Sequence, residues 1–152
     1  MTAVRCGVIG VGHLGKFHAQ KYSNIENCKL VALADPNPNI ALTLSKELNC
    51  KYVKNYKEIL NDIDLVSIVA PTPLHYEITS EVLKSGKGVL LEKPITETVK
   101  EAKLLDKLAK KNNLILQIGH LERFNPALLK LKEILDFDSN SRKNSFNPIF
   151  IE

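Results

Sequence analysis

Residues 3–15, AVRCGVIGVGHLG, decide the fold, because an apolar run leads directly into the spacing G-x-G-x-x-G. Gly10 lets the chain turn tightly out of a strand, Gly12 leaves room for a pyrophosphate against the backbone, and Gly15 lets a following helix pack closely on the strand. That helix would begin near His13, with its free N–H groups and positive dipole end facing the phosphates. Glycine-rich turns also occur for structural reasons alone. The prediction therefore needs a strand before, a helix after, and an acidic residue about 20 positions further on.

The composition is that of an ordinary globular domain, with 152 residues of which 44% are hydrophobic and 25% charged. The net charge of +4 comes from lysines interleaved with acidic residues, which favours a solvated surface over a nucleic-acid face. The chain has three cysteines, Cys6, Cys28 and Cys50, and no two of them have C-x-x-C spacing. This pattern indicates reduced thiols instead of a disulfide framework or a metal site. There is neither a signal-peptide pattern nor an apolar run of about 20 residues, so we expect a cytoplasmic protein with no membrane partner.

Short β-rich runs alternate with helical patterns along the chain. We predict two helix caps, at Thr72 and Thr96, and expect Val99 to face the core. The alternation predicts an α/β fold: a doubly wound, mostly parallel Rossmann sheet of six or more strands with helices on both faces. Strands are predicted at 4–9, 28–34, 51–53, 65–70, 88–91 and 114–118, and helices at 13–23, 40–48, 56–60, 73–84, 97–111 and 126–135.

The end of the chain differs in composition from the rest. Residues 1–135 are expected to form the Rossmann dinucleotide-binding domain. Residues 136–147 are polar and read as a linker, and 149–151 resemble the start of an apolar strand. We therefore expect residues 136–152 to be a linker and the first strand of a C-terminal substrate domain that is absent from this chain.

The residues with useful chemistry all follow predicted strands. In a doubly wound sheet, ligands bind outside the carboxyl ends of the strands, so these residues are expected at one edge. The candidate cofactor-binding and catalytic residues are Gly10, Gly12, His13, Leu14, Asp35, Ala70, Pro71, Thr72, His75, Glu92 and Lys93, and the candidate substrate residues are His120 and Arg123.

Asp35 lies 20 residues after Gly15 and ends the second strand. A carboxylate there can accept both hydroxyls of an adenosine ribose and would repel a 2′-phosphate. No arginine or lysine follows it before Lys46, so NAD is favoured over NADP. The alternative is that Asp35 only stabilises the turn at Pro36.

Four further residues have both a chemical and a structural interpretation. His75 could touch a ribose or the nicotinamide, or it could simply pack in the first turn of a helix. Lys93 could orient a substrate hydroxyl or take part in proton transfer, or it could be a surface lysine beside a turn. Arg123 could bind a phosphate or carboxylate through two parallel hydrogen bonds and His120 could line the nicotinamide pocket, or both could be ordinary surface and turn residues.

Five segments together resemble a known family. GVIGVGHLGKFHA, ALADPNP, VAPTPLHYEI, LLEKPI and QIGHLERFNPA, in this order, are similar to the nucleotide-binding half of the glucose–fructose oxidoreductase, inositol dehydrogenase and MocA family. The EKP tripeptide is the most specific of these marks, and Lys93 corresponds to the family's catalytic-site lysine. Within the family, GHLERFNPA resembles bacterial UDP-N-acetylglucosamine 3-dehydrogenases, which act in making amino sugars for lipid A or surface glycans.

The resemblance implies NAD(P)-dependent oxidation of a hydroxyl, or reduction of a carbonyl, of a sugar or sugar nucleotide, with Lys93 positioning the reacting oxygen. Full-length members continue into an open-faced β-sheet domain with most substrate contacts, a catalytic histidine or aspartate and commonly the oligomer interface. A full-length form is therefore expected to be a homo-oligomer, and this chain to bind cofactor with little or no turnover. The alternative is a non-catalytic, NAD(H)-sensing module, which would have no need of EKP at the nicotinamide end.

Overall fold

The computed structural model describes residues 3–141. Strands and helices alternate throughout this part of the chain, as the sequence predicts. The strands are β1 (Val4–Ile9), β2 (Cys28–Ala34), β3 (Lys51–Val53), β4 (Leu65–Ile68), β5 (Gly88–Leu91) and β6 (Leu116–Ile118). The helices are α1 (His13–Asn24), α2 (Pro38–Glu47), α3 (His75–Lys84), α4 (Val99–Lys111) and α5 (Pro126–Ser141), with 3-10 turns at Tyr56–Ile59, Thr72–Leu74 and Leu121–Phe124.

The strands form one parallel sheet in the order β3-β2-β1-β4-β5-β6. One core cluster joins the sheet to α3 and α4, and another joins it to α1 and α2. Helices therefore cover both faces, which explains the near-continuous apolar character of the strands. The predicted doubly wound Rossmann fold is confirmed. The order reverses between β1 and β4, where ligands bind in such sheets.

The register aligns the carboxyl ends of all six strands. Parallel pairing places the last residue of each strand opposite the last residue of its neighbour, so the loops that follow start from one straight edge. The row consists of Val53, Ala34, Ile9, Ile68, Leu91 and Ile118.

The start of α4 corrects two predictions. Thr98, and not Thr96, caps this helix: Thr98 Oγ1 accepts from the Glu101 amide at 3.2 Å, and the Thr98 amide donates to Glu101 Oε2 at 3.2 Å. This capping box satisfies two free N–H groups at once, which Thr96 cannot do because valine lies three residues beyond it. Val99 is 72% exposed and does not face the core.

The start of α3 also differs from the prediction. A 3-10 turn over Thr72–Leu74 precedes the α-helix, which begins only at His75. Thr72 lies inside that turn, and the N-cap residues of the turn and of α3 are Pro71 and Leu74. The expected cap at Thr72 is therefore wrong, because the tight turn already supplies the first backbone bond, from the Leu74 amide to the Pro71 carbonyl at 2.9 Å.

The last helix runs further than expected. α5 continues to Ser141, past the predicted end at 135, because neither glycine nor proline interrupts residues 127–147. The chain divides into two compact units, one ending at Gly119 and the other beginning at His120. The expected strand at 149–151 and the rest of 142–152 lie outside the described residues.

The cysteines lie in the first unit. All three are free thiols. Burial raises the pKa of Cys6 to about 12 and that of Cys50 to about 11, so neither forms a reactive thiolate near neutral pH. Within residues 3–141, no helix is both long and apolar enough to cross a bilayer.

Candidate cofactor-binding site

A cleft of about 790 Å³ opens at the carboxyl edge of the sheet. This volume is in the range of small-molecule and cofactor sites. Five of the predicted cofactor residues line the cleft, namely Gly10, Gly12, Asp35, Ala70 and Pro71. They come from three different loops, and the aligned strand ends bring them together.

The three glycines of the first loop have different roles. Gly10 has φ of +87°, and a Cβ there would lie 2.6 Å from the Val69 carbonyl oxygen; a Cβ on Gly15 would lie 1.9 Å from the Gly10 carbonyl oxygen. The fold itself therefore requires these two glycines. A Cβ on Gly12 would meet nothing within 4 Å, so the space at Gly12 is available to a ligand.

The N-terminus of α1 faces the same loop. Gly12 is the N-cap residue, no side chain caps the helix, and the first turn has no acidic residue. The first N–H groups therefore remain available, and the positive end of the helix dipole favours an anion. Together with the open space at Gly12, this arrangement fits a pyrophosphate.

Asp35 is held at the mouth of the cleft by two backbone amides. Its Oδ2 accepts from Val11 N at 2.7 Å, and its Oδ1 accepts from Asn37 N at 2.8 Å. The second bond spans Pro36, so Asp35 does stabilise this turn, and its contact with a ribose stays a prediction. A carboxylate has about four acceptor positions, and two remain for the hydroxyls of a ribose.

His75 does not reach the cleft. The residue is 1% exposed, with Nδ1 2.8 Å from the Pro94 carbonyl oxygen and Nε2 2.7 Å from that of Ala70. Both ring nitrogens are engaged within the fold, which corrects the prediction that His75 touches the cofactor. The ring instead ties the loop after β4 to the turn after β5.

Glu92 is also turned inward. The residue is 5% exposed; its Oε1 lies 3.2 Å from His18 Nε2, and its Oε2 accepts from Lys93 N at 3.2 Å. The carboxylate has neighbours inside the protein because Gly119 leaves room for it. Glu92 is therefore a buried support, and its predicted direct contact with the cofactor is corrected.

The remaining candidates are accessible side chains. His13 and Leu14 are exposed in the first turn of α1, Thr72 is half-buried, and Lys93 is exposed after β5. His120 and Arg123 are exposed in the second unit, where the Arg123 amide donates to the His120 carbonyl at 3.1 Å. Contact of these residues with a cofactor or substrate stays a prediction.

The residues that follow β3 are absent from the predicted site. Lys54, Asn55 and Tyr56 line the cleft, and the same rule about strand ends would have found them, because β3 lies beside β2. Asn55 forms a capping box with Glu58 that fixes this loop. The Tyr56 hydroxyl donates to the carboxylate of Glu81, and burial together with this bond raises the pKa of Tyr56.

Comparison with known proteins identifies the family. A family model described as an oxidoreductase family with an NAD-binding Rossmann fold matches residues 4–120. A UDP-N-acetylglucosamine 3-dehydrogenase of Acidithiobacillus ferrooxidans is 40% identical over 133 residues, which are 88% of this chain and 42% of that protein. The scyllo-inositol 2-dehydrogenase (NAD(+)) of Bacillus subtilis is 35% identical over 137 residues, which are 88% of this chain and 40% of that protein.

A solved structure gives the same result. The scyllo-inositol dehydrogenase of Lactobacillus casei, crystallised with NAD(H) and scyllo-inositol, has a TM-score of 0.84 and 28% identity; the match covers 91% of this chain and 42% of that one. The chain thus spans about two fifths of the length of these relatives. It belongs to the glucose–fructose oxidoreductase, inositol dehydrogenase and MocA family of oxidoreductases and is an NAD-binding Rossmann domain of that family.

Proposed function

We propose that this chain supplies the NAD(H) site of a dehydrogenase that acts on a hydroxyl or carbonyl of a sugar or sugar nucleotide. One observation carries the proposal: the Gly12 loop, Asp35 and the turn with Lys93 follow strands whose carboxyl ends are aligned at one edge of the sheet. When bound, NAD supplies the hydride acceptor or donor at C4 of its nicotinamide ring.

Different residues along this edge are proposed to bind different parts of the cofactor and the substrate. The free N–H groups of α1 hold the pyrophosphate beside Gly12, and Asp35 accepts the hydroxyls of the adenosine ribose. β5 lies two strands from β1, so Lys93 begins about 10 Å from the glycine loop. At that distance the Lys93 side chain is placed to orient the reacting oxygen of a substrate, while the phosphates remain on α1. As a neutral amine it would accept the proton of a hydroxyl during oxidation, and as an ammonium it would donate a proton to a carbonyl oxygen during reduction.

A sugar nucleotide is the substrate class we propose. The support is the 40% identity to a UDP-N-acetylglucosamine 3-dehydrogenase, compared with 35% to a scyllo-inositol dehydrogenase. His120 and Arg123 are proposed to contact this substrate, and Arg123 suits the phosphates of a nucleotide because a guanidinium can donate two parallel hydrogen bonds. We propose a homo-oligomer for the whole protein.

Calorimetric titration of the chain with NAD+ and NADP+ tests the cofactor part of the proposal. We expect NAD+ to bind more tightly, because Asp35 has an anionic carboxylate where NADP+ has a 2′-phosphate. If neither dinucleotide binds at millimolar concentration, the proposal fails.

Lys93→Ala tests the catalytic part, in the enzyme that includes a substrate domain. We expect kcat for UDP-N-acetylglucosamine to fall at least about 100-fold while NAD+ still binds. Lys87→Ala is the matched control, since Lys87 precedes β5 and Lys93 follows it. Near-normal turnover of Lys93→Ala would remove the lysine from the mechanism. Binding of NAD+ without turnover of UDP-N-acetylglucosamine or scyllo-inositol would favour the sensor alternative.

A further inference from the structure

A chain of four hydrogen-bonded side chains lies beneath the carboxyl edge of the sheet, and the proposed function does not use it. Tyr22 OH lies 2.7 Å from Ser67 Oγ, Ser67 Oγ lies 3.0 Å from His18 Nδ1, and His18 Nε2 lies 3.2 Å from Glu92 Oε1. The side chains of His18 and Glu92 are 15% and 7% exposed, and Ser67 is fully buried. The chain connects α1, β4 and the end of β5.

The direction of the bond between His18 and Glu92 follows from its chemistry. An ionised carboxylate has no proton to donate, so His18 Nε2 donates to Glu92 Oε1. The hydroxyl of Ser67 can donate or accept and adapts to either state of Nδ1. The Nε2 side of the ring therefore has a fixed role, whereas the Nδ1 side is adaptable.

The carboxylate of Glu92 is held between two elements. A Cβ on Gly119 would lie 2.7 Å from Oε1, so the backbone after β6 closes one side, and His18 on α1 closes another. The second oxygen, Oε2, accepts from the backbone N–H of Lys93 at 3.2 Å. A change in the position of His18 thus reaches the backbone of Lys93 through a single buried side chain.

We propose that His18 is a positioning residue, which holds the Glu92 carboxylate and thereby couples the phosphate-binding helix α1 to the turn that presents Lys93. The functional part of this inference rests on the proposed function, because it assumes phosphates at the N-terminus of α1 and a reacting oxygen at Lys93. The structural part, that His18 sets the position of the Lys93 backbone, does not depend on it.

Two near-isosteric substitutions separate this role from simple packing. In His18→Gln the side-chain amide reaches the position of Nε2 and can still donate to Glu92, whereas in His18→Asn it reaches only the position of Nδ1 and can still bond Ser67. Both variants are polar and smaller than histidine, and asparagine lacks one methylene of glutamine. A packing role therefore predicts a loss of unfolding free energy that grows with the lost volume, with no specific change at the Lys93 amide. The proposed role predicts that Asn disturbs Lys93 and Gln does not.

The first readout is the backbone amide of Lys93 in the NMR spectrum of the ligand-free chain. In His18→Asn we expect a changed chemical shift and hydrogen exchange about ten times faster, because the acceptor of this N–H is no longer held. In His18→Gln we expect wild-type values. An unchanged Lys93 amide in His18→Asn, or equal changes in both variants, would overturn the inference.

The second readout uses ADP, which carries the adenosine phosphates but no nicotinamide ribose. In the unsubstituted chain, ADP is expected to shift the Lys93 amide resonance through α1, His18 and Glu92. In His18→Asn, ADP should bind without that shift, and the preference for NAD+ over ADP should fall about ten-fold.

If His18→Asn fails to fold, the unsubstituted chain still tests the coupling. ADP binding that leaves the Lys93 amide resonance unchanged would reject it. If neither ADP nor NAD+ binds, the proposed function fails, and the ligand-free comparison of the two variants still decides whether His18 positions Lys93.

Discussion

The substitution Gly12→Ala adds one methyl group to the glycine loop and should change the affinity for cofactor with little change in the stability of the fold. In Gly12→Ala, the added Cβ would meet no atom within 4 Å, and the backbone at this position is extended, with φ of −74°. Loss of glycine at the helix N-cap costs up to about 1 kcal/mol, while the reduced entropy of the unfolded chain returns about 0.4–1 kcal/mol. We expect the free energy of unfolding to change by less than about 1 kcal/mol.

Binding should respond quite differently to Gly12→Ala. The methyl group occupies the space in which a pyrophosphate would approach the N–H groups of α1, and a hydrogen bond to a charged group contributes about 1.5–3 kcal/mol. We therefore expect the affinity for NAD+ to fall at least about ten-fold. Urea unfolding without ligand and calorimetric titration with NAD+ measure the two effects separately.

Gly15→Ala and Gly10→Ala should show the reverse pattern. A Cβ on Gly15 would lie 1.9 Å from the Gly10 carbonyl oxygen, about 1.5 Å short of ordinary contact. At Gly10 the positive φ of +87° adds about 1–2 kcal/mol of strain. Backbone atoms cannot yield as a flexible side chain does, so each substitution should cost about 3 kcal/mol or more.

Gly86→Ala is the matched control for these substitutions. Gly86 has φ of +76° and open space around it, and it lies at the end of α3, away from the cleft. This variant should lose about 1 kcal/mol and bind NAD+ as the wild type does. The reasoning is refuted if Gly12→Ala binds NAD+ with unchanged affinity, or if it loses as much stability as Gly15→Ala.

Three further predictions follow from individual contacts. Asp35→Ala should weaken NAD+ more than NADP+ in calorimetry and lower the free energy of unfolding by about 1–3 kcal/mol, because two backbone amides lose their acceptor; a wild-type preference for NADP+ would contradict the argument. Hydrogen bonds from Arg5 lower the pKa of Asp64 from 3.8 to about 2, so this pair stabilises the fold above about pH 4 and its contribution disappears as the pH falls towards 2; the stability deficit of Arg5→Ala in urea should shrink over the same range. Thr98→Ala should lower the free energy of unfolding, measured in urea, by about 1 kcal/mol, since it removes the cap of α4.

The sequence predicts the fold well because its main signals are local. Most strands are short apolar runs, and a glycine, asparagine or proline lies within three residues after each of them. The bounds of β1, β2, β3 and β5 agree with the prediction. The errors concern the ends of elements: β4 ends two residues before its predicted end at 70, and β6 begins two residues after its predicted start at 114. The start of α4 is wrong because the choice between two nearby threonines depends on a side chain three residues away. The motif Thr98-x-x-Glu101 is visible in the sequence and would have corrected the start of α4.

The sequence predicts the edge that carries the site, but not which side chains enter the cleft. Gly10, Asp35 and Ala70 line it because the strand ends are in register. His75 and Glu92 begin at the same edge but turn into the protein. Their partners lie up to 74 residues away along the chain, and spacing in one sequence carries no information on such contacts.

The adjacent residues Glu92 and Lys93 illustrate why one motif can contain both a buried supporting residue and an exposed residue that is proposed to contact substrate. Both residues follow β5 directly, yet their side chains differ in burial, since Glu92 is 5% exposed and Lys93 is exposed. Glu92 faces inward and must have partners, because an unpaired buried carboxylate is unfavourable. His18 and the backbone amide of Lys93 are those partners. The glutamate therefore stabilises the turn that presents the lysine, and a substitution at either position would lower activity for a different reason. Stability measurements distinguish the two, since Lys93 is exposed and Glu92 is not.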